Sequence, residues 1–433
     1  MNGGNNSKTK FFLRRFFAAA FSLALTSVNL SAQTDSLTLE VCLQKAYDNF
    51  PLLPNKNLFA QQLDETIQNL KTSHLPQFTT NVFASYQEPA VSIPLKIPGL
   101  VIPDLPKDKE QISLDATQVI FDGGAMKAQM GIQTASEKIQ EQQIETEAFK
   151  LRSQINQLYF GILIADQTAA LLSLMKSDLH EKESALISAV NNGVGQESNL
   201  LQLQAEQLKL EQKIAETISA RDAASQMLCT LCGLKPADNI LLSKKFSGVK
   251  SPVFINRPEL TLFELQTQLL QKQSAATSAK TLPKIGLFTQ LGYGKPGLNM
   301  FETGFNPFFV AGVKMSWSPV DWKMSHREKD NIGFQKTMIQ NQKNLFLQSL
   351  ELQTEKQNAE EKKFDELMKL DLQIVDLKAQ VEKISATQLE NGALSSADYI
   401  HASSEFFQAK LNLEIHRLQM LQAQSEIKII SGN

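Results

Sequence analysis

A chain of 433 residues, 42% hydrophobic and 20% charged, can bury a sizeable core, which excludes wholesale disorder. Its 43 Lys and Arg nearly balance 45 Asp and Glu, for a formal charge of −2. No basic stripe interleaved with aromatics stands out, so nucleic acid is excluded as a partner.

The first 32 residues read as a secretory signal peptide. Lys8, Lys10, Arg14 and Arg15 form the basic region, Phe16 to Val28 the apolar region, and Ser31-Ala32 a small-residue cleavage point. Removing its four basic residues leaves 39 against 45, a net of −6. No Cys follows the cleavage point, so no lipid anchor is expected there. No later stretch reads as roughly 18 apolar residues, so no transmembrane helix is expected, and membrane residence would require a barrel.

Beyond the signal peptide the chain reads as two copies of one unit, 33–250 and 251–433. Phe50-Pro51 opens a helical stretch that Arg257-Pro258 answers, and Leu75-Pro76 ends it as Leu282-Pro283 ends the other; both pairs are 207 residues apart. Asp122 is answered by Asp321, and Asn192-Gly193 by Asn391-Gly392, both at an offset of 199. Two constant offsets joined by one length difference indicate a duplicated structural unit.

Each unit carries a helix, two strands, a very long helix, a tight turn and a returning helix. Strands are predicted at about 77–87, 111–121, 284–294 and 308–318 from period-two patterning, as in Phe309, Ala311, Val313, Met315 and Trp317. The first of them is irregular, with Phe83 on the wrong face. A loop from Glu88 to Lys107 holds five prolines and reads as stiff and extended. Helical hairpins are predicted at about 123–232 and 322–430. Leu151, Ile155, Leu158, Ile162, Ala165, Ala169 and Leu172 keep heptad spacing, broken later by Lys176 and Glu183. Leu367, Leu370, Ile374, Leu377, Val381 and Ile384 repeat it. Gly193 and Gly392 end the long helices, and Ser395 with Asp398 reads as a capping box.

Catalytic constellations are lacking: there is no P-loop and no Gly-rich dinucleotide turn. No enzyme, cofactor or metal site is expected. Cys229 and Cys232 have CxxC spacing, but a structural pair or a disulfide of the exported chain fits a helix end better than a redox motif. His401 and Glu405 stand one helical turn apart without a third metal ligand.

Leu37-Thr38-Leu39-Glu40, Asn256-Arg257-Pro258-Glu259-Leu260, the Leu-Pro pairs, Phe121-Asp122-Gly123-Gly124 and the Gly-containing tips occur together, in order and largely in duplicate. In these the chain resembles the TolC family of outer-membrane efflux proteins over nearly all its length beyond the signal peptide. The resemblance implies a homotrimer in outer-membrane lipid, with a 12-stranded β-barrel of four strands per chain continued by a coiled-coil helical barrel through the periplasm. It implies a passive, gated outer-membrane channel subunit of a tripartite efflux or type I secretion system, working with a periplasmic adaptor (membrane fusion protein) and an inner-membrane pump. The adaptor contact falls on the tips Asn192, Gly193, Val194, Gly195 and Asn391, Gly392, Ala393, Leu394. The pore entrance falls at Asp398, with His401 where the family pattern has a second acid and Asn199 as the first-repeat counterpart. The alternative is a periplasmic adaptor or structural coiled-coil protein, which would show one hairpin flanked by β-rich soluble domains.

Overall fold

The computed structural model describes residues 37–89, 106–193, 195–235, 241–243 and 255–432. The predicted signal peptide, most of the proline-rich loop and Val194 lie outside the described residues. Helices α1 (Leu39–Asp48) and α2 (Asn55–Thr72) precede strands β1 (Gln77–Tyr86) and β2 (Asp108–Phe121); helices α3 (Ala125–Asn191) and α4 (Glu197–Cys232) form the first hairpin. Helix α5 (Pro258–Lys280), strands β3 (Lys284–Lys295) and β4 (Asn306–Ser316), and helices α6 (Met324–Glu390) and α7 (Ser396–Ser431) repeat the order. Helices α3 and α6 have 67 residues each, and α4 and α7 have 36 each, so both pairs superpose at the offset of 199. A 67-residue helix runs about 100 Å at 1.5 Å per residue.

The same device starts both long helices. Asp122 accepts the amides of Gly124 and Met126 at 2.8 and 2.6 Å, and Asp321 accepts those of Lys323 and Ser325 at 3.0 Å each. The turn needs two left-handed residues. The first unit supplies Gly123 and Gly124; the second forces Trp322 (φ 51) and Lys323 (φ 64) into the same conformation.

The four strands make one antiparallel sheet in the order β1-β2-β3-β4, leaving β1 and β4 as open edges. Their registers set Val82 beside Ile112, Ile112 beside Tyr293, Leu114 beside Leu291, Leu291 beside Phe309 and Leu287 beside Val313. These side chains form one exposed apolar face. The opposite face is polar: Asn81 donates to Asp115 at 2.5 Å and Gln290 to Ser113 at 3.3 Å. Phe83 stands on that polar face, lining a cavity at the sheet's end with Gln111 and Met300, so the irregularity in the β1 pattern is structural. Phe288 and Phe308 also lie on the polar face, over Gly312 and Gly292, where a Cβ would stand 2.9 and 2.1 Å from the rings.

Helices pack in parallel order below the sheet. Helix α3 packs on α4 and α7, and α7 on α6; nearer the sheet, α3 packs on α2 and α5, and α5 on α6. The Asn256–Leu260 motif locks this arrangement. Pro258 takes the first turn of α5, Arg257 pairs with Glu259 at 2.5 Å, and its guanidinium lies 4.3 Å from the Phe149 ring of α3. Its Nη1 also donates to the Ile429 carbonyl of α7 at 3.3 Å.

One expectation is corrected. Helix α3 does contain a stretch long and apolar enough to cross a membrane by length and composition. The apolar residues Ile155, Tyr159, Phe160, Ile162 and Leu163 instead build the main core with Leu39, Cys42, Leu228, Cys232 and Leu418. Contact with three other helices demands nearly as many apolar positions as lipid does.

Candidate functional site at the hairpin tips

Both tips are built by glycine. At the second, Gly392 adopts φ +70, its amide donates to the Leu389 carbonyl at 3.0 Å, and the Ala393 amide to the Gln388 carbonyl at 2.8 Å, a Schellman closure. At the first, Gly193 adopts φ +74 and the Gly195 amide reaches the Ala189 carbonyl at 2.9 Å. Nothing lies within 4 Å of a Cβ built at Gly193 or Gly392, so both turns open onto free space. A Cβ at Gly195 would stand 2.8 Å from the Val190 nitrogen, which requires glycine there. Asn192, Asn391 and Ala393 are exposed; Leu394 is half-buried.

Leu394 and the returning helices cover a second core beside the tips, made of Met175 and Leu179 of α3, Leu203 and Leu210 of α4, and Tyr399 of α7. Tyr399 is fully buried. Its hydroxyl donates to Asp178 at 2.8 Å and lies 3.3 Å from Glu382, while the Ser403 hydroxyl donates to Asp178 at 3.1 Å. Burial and the adjacent Asp178 carboxylate push the Tyr399 phenol well above its ordinary value, so it stays a donor. Lys182 pairs with Glu390 at 2.9 Å, joining α3 to the end of α6. These contacts hold the two hairpins together. The residues that interrupt the α3 heptads serve the other side: Lys176 pairs with Glu211 at 2.5 Å, and Glu183 accepts from Gln204 and Gln207 of α4.

Asp398 is exposed in the first turn of α7. Its amide donates to the Ser395 hydroxyl oxygen at 3.2 Å, the first half of a capping box, and that hydroxyl, rather than the Ser395 amide, donates to its carboxylate at 2.6 Å. His401 is 77% exposed and lies 3.7 Å from Glu405, which pairs in turn with Lys378 at 2.5 Å. The hydrogen bond from Lys378 holds the Glu405 carboxyl below its usual value. Asn199, half-buried, sits at the matching start of α4, its amide bonded to the Gln196 carbonyl at 3.1 Å. Among the described residues no group of three or more His, Cys, Asp or Glu could hold a metal ion.

Sequence reasoning located the tips and Asp398 but passed over Tyr399, Asp178 and Glu382. The available signal was the Tyr399–Ser403 spacing, which places two hydroxyls on one helix face.

Residues 42–234 match the model of the outer membrane efflux protein family. No curated protein matches the chain. Among solved structures, the chain is similar to CusC, a protein described as forming a transmembrane channel, with 14% identity, TM-score 0.67, and coverage of 90% of this chain and 91% of that one. It is similar to the outer membrane protein VceC of Vibrio cholerae, with 14% identity, TM-score 0.65, and 91% and 96% coverage. It is also similar to the outer membrane channel MtrE of Neisseria gonorrhoeae, with 15% identity, TM-score 0.66, and 91% and 89% coverage. These share the fold of this chain, which has two helical hairpins and a four-stranded sheet among the described residues, and an adaptor with a single hairpin is not favoured. Over residues 42–234 the chain is thus similar to the outer membrane efflux protein family, and over about nine-tenths of its length it has the fold of these solved structures.

Proposed function

We propose that three copies of this chain close a 12-stranded barrel in the outer membrane and a helical tunnel below it, as a passive conduit from periplasm to exterior. The observation that carries this is a matched pair of unfinished sides. On one side β4 is an open sheet edge and α6 shows Leu345, Leu352, Leu370, Ile374, Leu377, Val381 and Ile384 to solvent, Leu377 at 62%. On the other, β1 is the open edge and α4 shows Leu201, Leu208 and Ile218. A heptad seam is stable only against a partner helix, and open strand edges cannot face lipid. The two sides differ, so copies join head to tail and rotation closes a ring. Three chains give an even strand number. Units 33–250 and 251–433, each one sheet half and one hairpin, then alternate round the tunnel.

The tips form the adaptor contact, where an open backbone turn allows close approach. Asp398 of three copies rings the periplasmic entrance. An adaptor and an inner-membrane pump supply direction and energy, since the chain carries no nucleotide motif. Detergent extracts of outer membranes, sized by sedimentation, test the reading: a particle of three chains with ion conductance in planar bilayers is expected. A soluble monomer in the periplasmic fraction would overturn it.

A further inference from the structure

Among the described residues, helix α1 has no counterpart before α5 in the second unit. Its buried face, Leu39, Cys42 and Ala46, packs on α3 and on the end of α4. The junction is tight. Asn49 donates to the carbonyls of Thr230 and Leu231 at 3.3 and 3.2 Å, and a Cβ at Gly233 would stand 2.7 Å from the Asn49 side-chain oxygen. At its centre Cys42 is 0% and Cys232 5% exposed, and Cys232 Sγ donates to the Cys42 carbonyl at 3.5 Å across 190 residues of chain.

We propose that Cys42 and Cys232 are an oxidisable pair whose disulfide staples α1 to the end of the first hairpin. The CxxC spacing suggests Cys229 as the partner of Cys232, and geometry disfavours it. Side chains three apart on a regular helix hold their Cβ atoms about 5–6 Å apart, whereas a disulfide needs roughly 3.5–4.5 Å. Cys229 and Cys232 are both inside α4, and the Leu234 amide bonded to the Cys229 carbonyl at 2.9 Å keeps that end wound. Cys42 comes from another helix and lies against Cys232, so joining the two does not require α4 to unwind.

The chemistry is thiol–disulfide exchange with an oxidised dithiol carrier or a small-molecule disulfide of the periplasm. Cys232, as thiolate, attacks one sulphur of the oxidant and expels a thiol. Cys42 then loses its proton and attacks the Cys232 sulphur, expelling the second thiol. Two protein thiols and one oxidant disulfide become one protein disulfide and two thiols. Both sulphurs are shielded in the folded chain, so exchange belongs to the stage before α1 docks. The staple closes a loop across 190 residues, long enough for a large entropic effect on the unfolded chain.

The proposal goes beyond the channel reading and rests on export only for its oxidant. Outer-membrane protein is alkylated under denaturing conditions with N-ethylmaleimide, digested without reductant and mapped by mass spectrometry. A Cys42 peptide linked to a Cys232 peptide, separated by dithiothreitol, is expected, with Cys229→Ser leaving the link intact. Cys42→Ser and Cys232→Ser should each abolish the faster migration of the unreduced chain. Each should also lower the thermal midpoint by about 5 °C, as dithiothreitol does, and the double variant should go no lower. Alkylation at both positions in chain recovered from outer membranes overturns the proposal, as does a Cys229–Cys232 link. If the serine variants do not fold, Cys42→Ala with Cys232→Ala replaces them, and the wild-type map decides alone. If the chain is absent from outer membranes, the channel reading fails separately. Oxidised glutathione added to reduced, refolding protein then tests the pair directly: formation of the Cys42–Cys232 link supports it and its absence overturns it.

Discussion

The Tyr399 hydroxyl donates to the Asp178 carboxylate at 2.8 Å, joining residues 221 apart in sequence and tying the second hairpin to the first beside the tips. A bond to a charged acceptor contributes about 2 kcal/mol when its donor is otherwise buried. Tyr399→Phe keeps the ring in its core and removes only that bond. We expect stability to fall by about this amount and the channel to open more often in planar bilayers. Unchanged conductance in an intact assembly would confine the bond to a packing role.

Asp398 serves α7 as a cap and, by our proposal, the entrance as part of a charge ring; two variants separate these roles. Ser395→Ala removes the cap acceptor of the Asp398 amide and should cost about 1 kcal/mol of stability while leaving ion selectivity alone. Asp398→Asn should reduce cation selectivity and weaken block by multivalent cations, with the assembly intact. Equal selectivity in the wild type and Asp398→Asn would remove Asp398 from the pore.

Gly193→Trp and Gly392→Trp place a bulky side chain on an open turn in a left-handed conformation, at φ +74 and +70. The backbone cost is about 1–2 kcal/mol per site, small beside the core of two hairpins. Assembly should survive while export in cells is lost through the adaptor contact. Normal export by both variants would move that contact away from the tips.

The helix-entry turns give a prediction in stability alone. Lys323 holds φ 64 where the first unit has Gly124 at φ 82. Lys323→Gly should stabilise the chain by about 1 kcal/mol, read as a higher thermal midpoint. Gly123→Ala should destabilise it, because the new Cβ would stand 2.8 Å from Leu282 Cβ and 3.0 Å from the Ala279 carbonyl.

The same turn predicts an acid limit. Burial opposes ionisation of Asp122, but the amides of Met126 and Gly124, with His74 adding to them, outweigh it and hold the carboxyl below its ordinary value of 3.8. A depressed carboxyl contributes stability that is complete above the unfolded value and is lost as pH falls through the folded one. The thermal midpoint should therefore drop below about pH 4, and Asp122→Asn should flatten part of that drop.

Local periodicity made much of this protein legible before folding. The offset of 199 between Asp122 and Asp321 announced the duplication, and alternation at Phe309, Val313 and Met315 announced a strand with one apolar face. Gly193 and Gly392 announced where the hairpins turn, since only a residue without Cβ takes a left-handed turn at no cost. Periodicity names the face of an element but not what covers it. The heptads of α3 and α6 look alike in sequence, yet Ile155 and Ile162 are buried within the chain while Leu377 and Ile384 are left bare. That difference arises because α3 lies between α4 and α7, whereas α6 ends the row. Likewise Tyr399 meets Asp178, and Cys232 meets Cys42, only because the order in which helices pack joins residues that the chain keeps about 200 positions apart.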